Sequence, residues 1–357
     1  MKKLKKITAL LLALVLASGL MAGCGNGDGK GKGGAADDKG KVYVYCFGDY
    51  FDPELEYEFE EATGYDVVID YFDTNEELYP VIKNNTAQYD VICASDYMIA
   101  KLIDGGLLGE INYDNVPNAA NITENVKPFF DEFDPGMKYS LPHTWGTYGI
   151  MYNKTMVDGS EIDSWEDLWD EKYKDQIVMP DSMREAYMIA GKILGYSMNT
   201  TSEKEVKEMT ELLLKQKPLV YKLANDSARE LMIGESAALA VITSGEVLYS
   251  QELNENIGFV IPEEGTEVWT DCWALTANAA NKEGGEAWIN FMLDGDVAED
   301  NFEYLTYAIP NIHVDDVEEE PVLNPSAEVL AKCETLKNLG AEADDMYSRY
   351  WKEYKSK

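Results

Sequence analysis

Residues 41–97 read KVYVYCFGDYFDPELEYEFEEATGYDVVIDYFDTNEELYPVIKNNTAQYDVICASDY, and this stretch sets the fold class. Val42-Tyr43-Val44-Tyr45-Cys46-Phe47 is a short apolar run that reads as a strand. Pro53 opens a helix through Thr63, and Gly64 stops it. Tyr65 to Tyr71 alternates into a second strand. Thr74-Asn75-Glu76-Glu77 is a capping box that starts another helix. Tyr89 to Ala94 is a third strand, and Tyr97 to Gly105 a helix. This β-α-β-α-β rhythm predicts a mostly parallel sheet covered by helices.

Downstream the rhythm pauses over a loop-rich stretch, 106–146, and then resumes. Ser164-Trp165-Glu166-Asp167 caps a short helix, and Trp165 and Trp169 near it read as core. Ile177-Val178-Met179 is a strand, and Met183 to Leu194 a helix ending at Gly195. Thr201 to Gln216 is a helix that leads to a strand at Leu219-Val220-Tyr221. Ala237 to Thr243, Ile257 to Ile261 and Cys272 to Thr276 read as further strands, and Lys282 to Leu293 as a helix. No internal repeat is present. Two α/β lobes fit 357 residues, with bends near 146 and 270. The expected division gives 41–146 plus 271–310 to the first lobe and 147–270 plus 311–357 to the second.

Upstream, Lys2, Lys3, Lys5 and Lys6 precede an apolar run from Ile7 to Leu20. That run is short for a membrane span, so residues 1–23 are expected to be a signal peptide. Leu20-Met21-Ala22-Gly23-Cys24 resembles a bacterial lipobox, in which a small pair precedes a cysteine that becomes lipidated. Cys24 is therefore the expected lipidation site. Residues 24–40 are glycine-rich without hydrophobic period, as in a flexible tether. The expected address is extracytoplasmic, anchored to the bacterial cell membrane through Cys24.

The chain carries 66 acidic and 30 basic residues, a net charge of -36. Such a surface repels phosphate, so nucleic acid is excluded as a partner. It suits solubility, and it also suits a cationic ligand. Tyr 23, Phe 10 and Trp 7 are too many aromatics for a disordered chain. None of the five cysteines forms a CxxC pair, which speaks against a zinc site. The only histidines are His143 and His313, and no nucleophile motif accompanies them. No cofactor, metal or catalytic group is expected.

Ligands of open α/β sheets bind outside the carboxyl ends of strands. The first strand is followed by Phe47-Gly48-Asp49-Tyr50 and the third by Ser95-Asp96-Tyr97. Asp181-Ser182-Met183-Arg184-Glu185 follows Met179, Trp269-Thr270-Asp271 sits near the second bend, and Tyr307 precedes Ala308-Ile309-Pro310. Carboxylates and aromatics recur at these places, which suits an organic polycation. Asp49, Asp96 and Asp181 also suit helix N-caps. Tyr50, Tyr97 and Trp269 also suit packing, and Glu185 a helix first turn.

At these residues the sequence resembles the spermidine/putrescine-binding proteins of bacterial polyamine ABC transporters. The likeness runs from about Lys41 to the C-terminal helix. It includes Gln88-Tyr89-Asp90-Val91, Ser95-Asp96-Tyr97, Ser164 to Trp169, Arg184-Glu185, Leu194 to Thr201, Trp269-Thr270-Asp271, Ala277 to Gly284 and Ile289-Asn290-Phe291. The resemblance implies a two-lobed periplasmic-binding-protein-like (type II) fold with the ligand between the lobes. It implies a polyamine ligand, a membrane-embedded ABC permease as partner, a monomer and no chemistry. It places Phe47 at an aromatic wall, and Tyr50, Ser95 and Tyr97 at further first-lobe contacts. Glu185 matches a second-lobe carboxylate, Trp269 an aromatic wall, Asp271 a carboxylate for an amine, and Tyr307 another contact. The sequence departs from the family at Ser182, often acidic there, with Asp181 beside it. It departs again near Ile242-Thr243, where a tryptophan is usual. Other expectations remain open: a binder of iron, thiamine, an amino acid or a sugar, or a secreted glycosidase using two carboxylates.

Overall fold

The computed structural model describes residues 39–357 except 226, 315, 316, 318 and 319. The expected signal peptide, Cys24 and nearly all of the expected tether lie outside the described residues. The tether's last two residues belong to the fold. Lys39 N–H donates to the Gly64 carbonyl at 3.2 Å, and the Gly40 carbonyl accepts from Asp66 at 3.0 Å, extending the first strand.

Nine strands form the framework: β1 Lys41–Phe47, β2 Asp66–Phe72, β3 Val91–Ser95, β4 Ser140–Asn153, β5 Ile177–Met179, β6 Val220–Leu223, β7 Leu239–Thr243, β8 Ile257–Val260 and β9 Val268–Leu275. Their order is β2-β1-β3-β9-β4-β7-β5-β6, with β8 on β4. β1 pairs in parallel with β2 and β3, and β5 in parallel with β6 and β7. The expectation of a mostly parallel sheet holds within these two halves only. β9 runs antiparallel to β3 and β4, and β4 antiparallel to β7 and β8. The reversal arises where the chain crosses from one half to the other.

β4 lies, up to Gly146, in the stretch expected to be loop. Its first part, Ser140–Thr147, pairs with β9, and Tyr148–Tyr152 pairs with β7, so one strand joins the two halves. The register slips between Pro142 and Thr144, because proline has no N–H for the ladder. The change of partner falls at 147/148. All of β9 pairs in the first half, so the second crossing precedes Val268.

Alternate residues of the strands feed apolar layers on both faces. In the first half, Val42, Val44 and Cys46 share a core with Trp273 and Trp288. Tyr45, Ile92 and Ala274 face a second core with Met98 and Leu102. In the second half, Ile150, Leu239 and Val241 pack with Tyr187, Met209 and Trp165, while Met151, Ala240 and Ile242 face Met232 and Val247. Helix on sheet on helix, twice, is the two-lobed α/β fold. Val314, Val317 and Leu323 lie in the first core, and Leu336, Tyr347 and Tyr354 in the second half's core. Residues 311–323, expected with the second lobe, therefore pack with the first.

The helix signals act as expected locally. Gly64 ends the helix Glu54–Thr63 at φ 78°, and Gly195 ends Met183–Leu194 at φ 71°, a left-handed conformation that glycine adopts freely. Thr74 accepts from Glu77 N–H at 3.3 Å, but the Glu77 carboxylate accepts from Asp73, one residue before the expected partner. Ser164 and Asp167 complete a true capping box on Trp165–Trp169. Cys46, Cys93 and Cys272 are buried free thiols, and Cys333 is a half-buried one.

Candidate ligand-binding cleft

A cavity of about 400 Å³ opens between the halves at the carboxyl ends of the strands. From the first half it is lined by Phe47 at the end of β1, Tyr50 after it, and Ser95, Asp96 and Tyr97 where β3 becomes a helix. Trp269 and Asp271 reach it from β9, and Tyr307 from the segment after the helix Gly295–Leu305. From the second half come Glu185, in the first turn of the helix Met183–Leu194, and Thr243 at the end of β7.

Three expected candidates do not line it. Asp49 is exposed in a turn at φ 51°. Asp181 is exposed and ion-paired with Lys355, so it does not replace an acidic group at Ser182. Ser182 acts one step back, donating its hydroxyl to Glu185 Oε2. Asp96 is no N-cap either: Ser95 is the cap residue, and Asp96 begins the helix.

The sequence reading missed Glu267, Tyr148, Leu336 and the run Asp73 to Glu76, all of which line the cavity. Thr74 and Glu76 were visible only as capping residues. Asn75 lies 7% exposed, and its Nδ2 donates to Ser95 Oγ at 2.9 Å.

The aromatic walls are held by close neighbours. Trp269 and Tyr307 have ring centroids 5.7 Å apart, and Phe47 and Tyr50 5.2 Å. A Cβ on Gly146 would stand 2.7 Å from Trp269 Cζ2, and one on Gly245 would stand 2.4 Å from Tyr307 Cδ1. These two glycines let the rings approach the backbone. The Tyr307 hydroxyl donates to Glu246 Oε1 at 2.7 Å, and Arg229 pairs with Glu246 Oε2 at 2.7 Å.

The polar lining is dominated by carboxylates. Asp271 is 7% exposed. It accepts from the Tyr50 hydroxyl on Oδ2, and that hydroxyl lies 3.0 Å from Thr144 Oγ1. Asp96 is 1% exposed, with Oδ1 accepting from Tyr97 N–H at 2.6 Å. Glu267 is 3% exposed with Oε2 bare. Burial raises the Asp271 carboxyl, opposed by hydrogen bonds from the Ser95 and Tyr50 hydroxyls. It pushes Asp96 well above the usual carboxylate range, reinforced by Asp271 and opposed by the Tyr97 and Thr270 N–H groups and by Arg184. Glu267 is likewise pushed well up, by burial and then by Glu185 and Asp96. Glu185 is raised by burial, with Arg184 opposing and Glu76 adding.

Among the described residues no lysine or arginine lines this cavity. Arg184, the nearest in sequence, turns to Asn199 Oδ1 at 3.1 Å and the Lys337 carbonyl at 3.4 Å. Buried carboxylates without a resident counter-charge are costly unless a cation arrives. No cluster of histidine, cysteine and carboxylate among the described residues has the form of a metal site.

Residues 56–326 match the bacterial extracellular solute-binding protein family. The chain is 33% identical over 330 residues to the spermidine/putrescine-binding periplasmic protein of Escherichia coli, covering 90% of this chain and 93% of that protein. It is 28% identical to the putrescine-binding periplasmic protein SpuD of Pseudomonas aeruginosa, covering 99% of each. In structure it resembles the spermidine/putrescine ABC transporter substrate-binding protein PotD of Streptococcus pneumoniae, with a TM-score of 0.80 at 34% identity. That match covers 88% of this chain and 98% of that one.

Proposed function

We propose that this chain, which belongs to the bacterial extracellular solute-binding protein family, captures a linear polyamine between its lobes and delivers it to an ABC permease. One observation carries the reading. Asp96, Glu185, Glu267 and Asp271 line a cavity walled by Phe47, Trp269 and Tyr307 and free of lysine and arginine among the described residues. Carboxylates meet the ammonium groups, and the rings cover the methylenes and add cation–π attraction.

Asp271, oriented by Tyr50, takes an ammonium from the first lobe. Glu185, oriented by Ser182, takes one from the second. Phe47, Tyr97, Trp269 and Tyr307 form the walls, and Ser95 and Thr243 contribute hydroxyls at the strand ends. The family binds and releases solutes, and the ligand here leaves unchanged. Lipidated Cys24 and the tether hold the body, a monomer, outside the cell membrane. The test is calorimetric titration with putrescine, cadaverine, spermidine and spermine. Saturable one-to-one binding of at least one is expected. Heat from none of them, with heat from thiamine, a sugar or ferric ion, overturns the reading.

A further inference from the structure

Two-point capture of a diamine needs one carboxylate from each lobe, and Asp271 and Glu185 suffice for it. That leaves Glu267 and Asp96 unexplained. Neither pairs with a lysine or arginine among the described residues, and Glu267 caps no helix. Glu267 sits just before β9, buried to 3% exposure, yet its Oε2 has no hydrogen-bond partner. Asp96, at 1% exposure in the same cavity, is met by the Tyr97 and Thr270 N–H groups and forms no ion pair among the described residues. A buried bare carboxylate oxygen calls for an explanation, since such groups in folded proteins are almost always satisfied. A third ammonium group supplies one.

We propose that Glu267, together with Asp96, forms an additional ammonium subsite that makes this chain select linear polyamines with three or more ammonium groups over diamines. The proposal rests on the polyamine reading above. Without ligand, burial and the neighbouring Glu185 and Asp96 push the Glu267 carboxyl up, with Arg184 opposing. Burial favours the protonated Glu267 carboxyl in the empty cavity, and a third cation favours the ionised form. A diamine has no cation to spare for it.

The experiment is titration of the full mature chain, Glu267→Gln and Asp96→Asn with spermidine, putrescine and diaminooctane, a diamine of spermidine's length. The wild type is expected to prefer spermidine to diaminooctane by about tenfold or more, since only spermidine brings a third ammonium to the Glu267 carboxyl. Glu267→Gln should remove most of that preference, weakening spermidine by about tenfold or more relative to putrescine and diaminooctane. Asp96→Asn should act in the same direction. Equal loss for spermidine and putrescine, or none for spermidine, overturns the subsite and leaves polyamine capture standing. Failure of the wild type to bind any of these amines overturns both. If Glu267→Gln melts as an unfolded protein, the wild-type comparison decides: equal affinity for spermidine and diaminooctane overturns the subsite.

Discussion

Glu267 and Asp271 flank Trp269 from two residues before and two residues after it, and all three side chains line the same cavity. On extended backbone, residues two apart point to one face. An indole and two buried carboxylates thus form a single acid–aromatic–acid stripe. Because β9 pairs with β3 and β4 in the first half, the stripe is carried by a central strand rather than by a loop.

The stripe makes Asp271 the sharpest single test of ligand capture. Breaking one partner of a buried ion pair costs on the order of 3–5 kcal/mol, or roughly a hundredfold or more in affinity. Asp271→Asn keeps the shape and still accepts from Tyr50. We expect polyamine affinity to fall by about that factor, with no loss of thermal stability in the ligand-free protein. Affinity unchanged within about threefold, with a lowered apo melting temperature, would show a purely structural carboxylate.

Protons must leave as the cation enters. Burial first, and like charge after it, raises Asp96 and Glu267, while Glu185 and Asp271 are raised by burial against opposing partners. A carboxyl raised in the fold stabilises the folded state fully below its unfolded value, about 4, and loses that stabilisation as pH rises through its folded value. These groups therefore make the ligand-free protein gain stability as pH falls from neutral toward 5. A bound polycation reverses the preference by holding them ionised. The ligand-induced rise in melting temperature should grow from pH 5 to pH 8. Calorimetry in buffers of differing ionisation enthalpy should show proton release, and buffer-independent heats would defeat this account.

The aromatic wall depends on a glycine. A Cβ on Gly245 would stand 2.4 Å from the Tyr307 ring, so Gly245→Ala must push the ring out or shift the helix start. Overpacking of this kind costs about 1–3 kcal/mol. We expect a lower apo melting temperature together with weaker polyamine binding. Loss of stability with affinity intact would mean that Tyr307 is no part of the wall.

Much of this was legible in the sequence, and the failures have physical causes. β1, β2, β3 and β5 announced themselves because short apolar runs ended in glycine, proline or capping residues. β4 did not: it is buried on nearly every residue, so it shows no alternation, and Pro142 and Gly146 fall in the stretch read as loop. Asp271 could be singled out because it follows Trp269 at strand spacing. Glu267 could not, since one glutamate among 66 acidic residues carries no mark until its burial is known. Asp181 looked as good as Asp96 in the sequence. Only the fold shows that Lys355, on the C-terminal helix Ala341–Ser356, is placed to neutralise it.

Anchoring is tested at Cys24. A single acyl chain binds membranes marginally, whereas a diacylated cysteine anchors stably. Cys24→Ala should accumulate as unprocessed precursor or appear in the medium. Mature-sized mutant recovered in the membrane fraction would remove the lipid from the account.

Motion follows from how the halves are joined. β4 passes from β9 to β7 between Thr147 and Tyr148, and the return crossing precedes Val268, so the lobes share few covalent links. Cavity-lining groups stand on both sides: Asp271 and Tyr50 on one, Glu185 and Thr243 on the other. A ligand that must touch both favours the closed arrangement by its differential contacts. One opposing tie, Lys337 to Glu132, joins side chains each 50% exposed, and an exposed pair contributes about 0–1 kcal/mol, too little to lock the lobes. Saturating polyamine should therefore lower the radius of gyration measured by small-angle scattering. Lys337→Ala should leave that change in place. Superimposable scattering curves with and without ligand would mean that the lobes do not close on it.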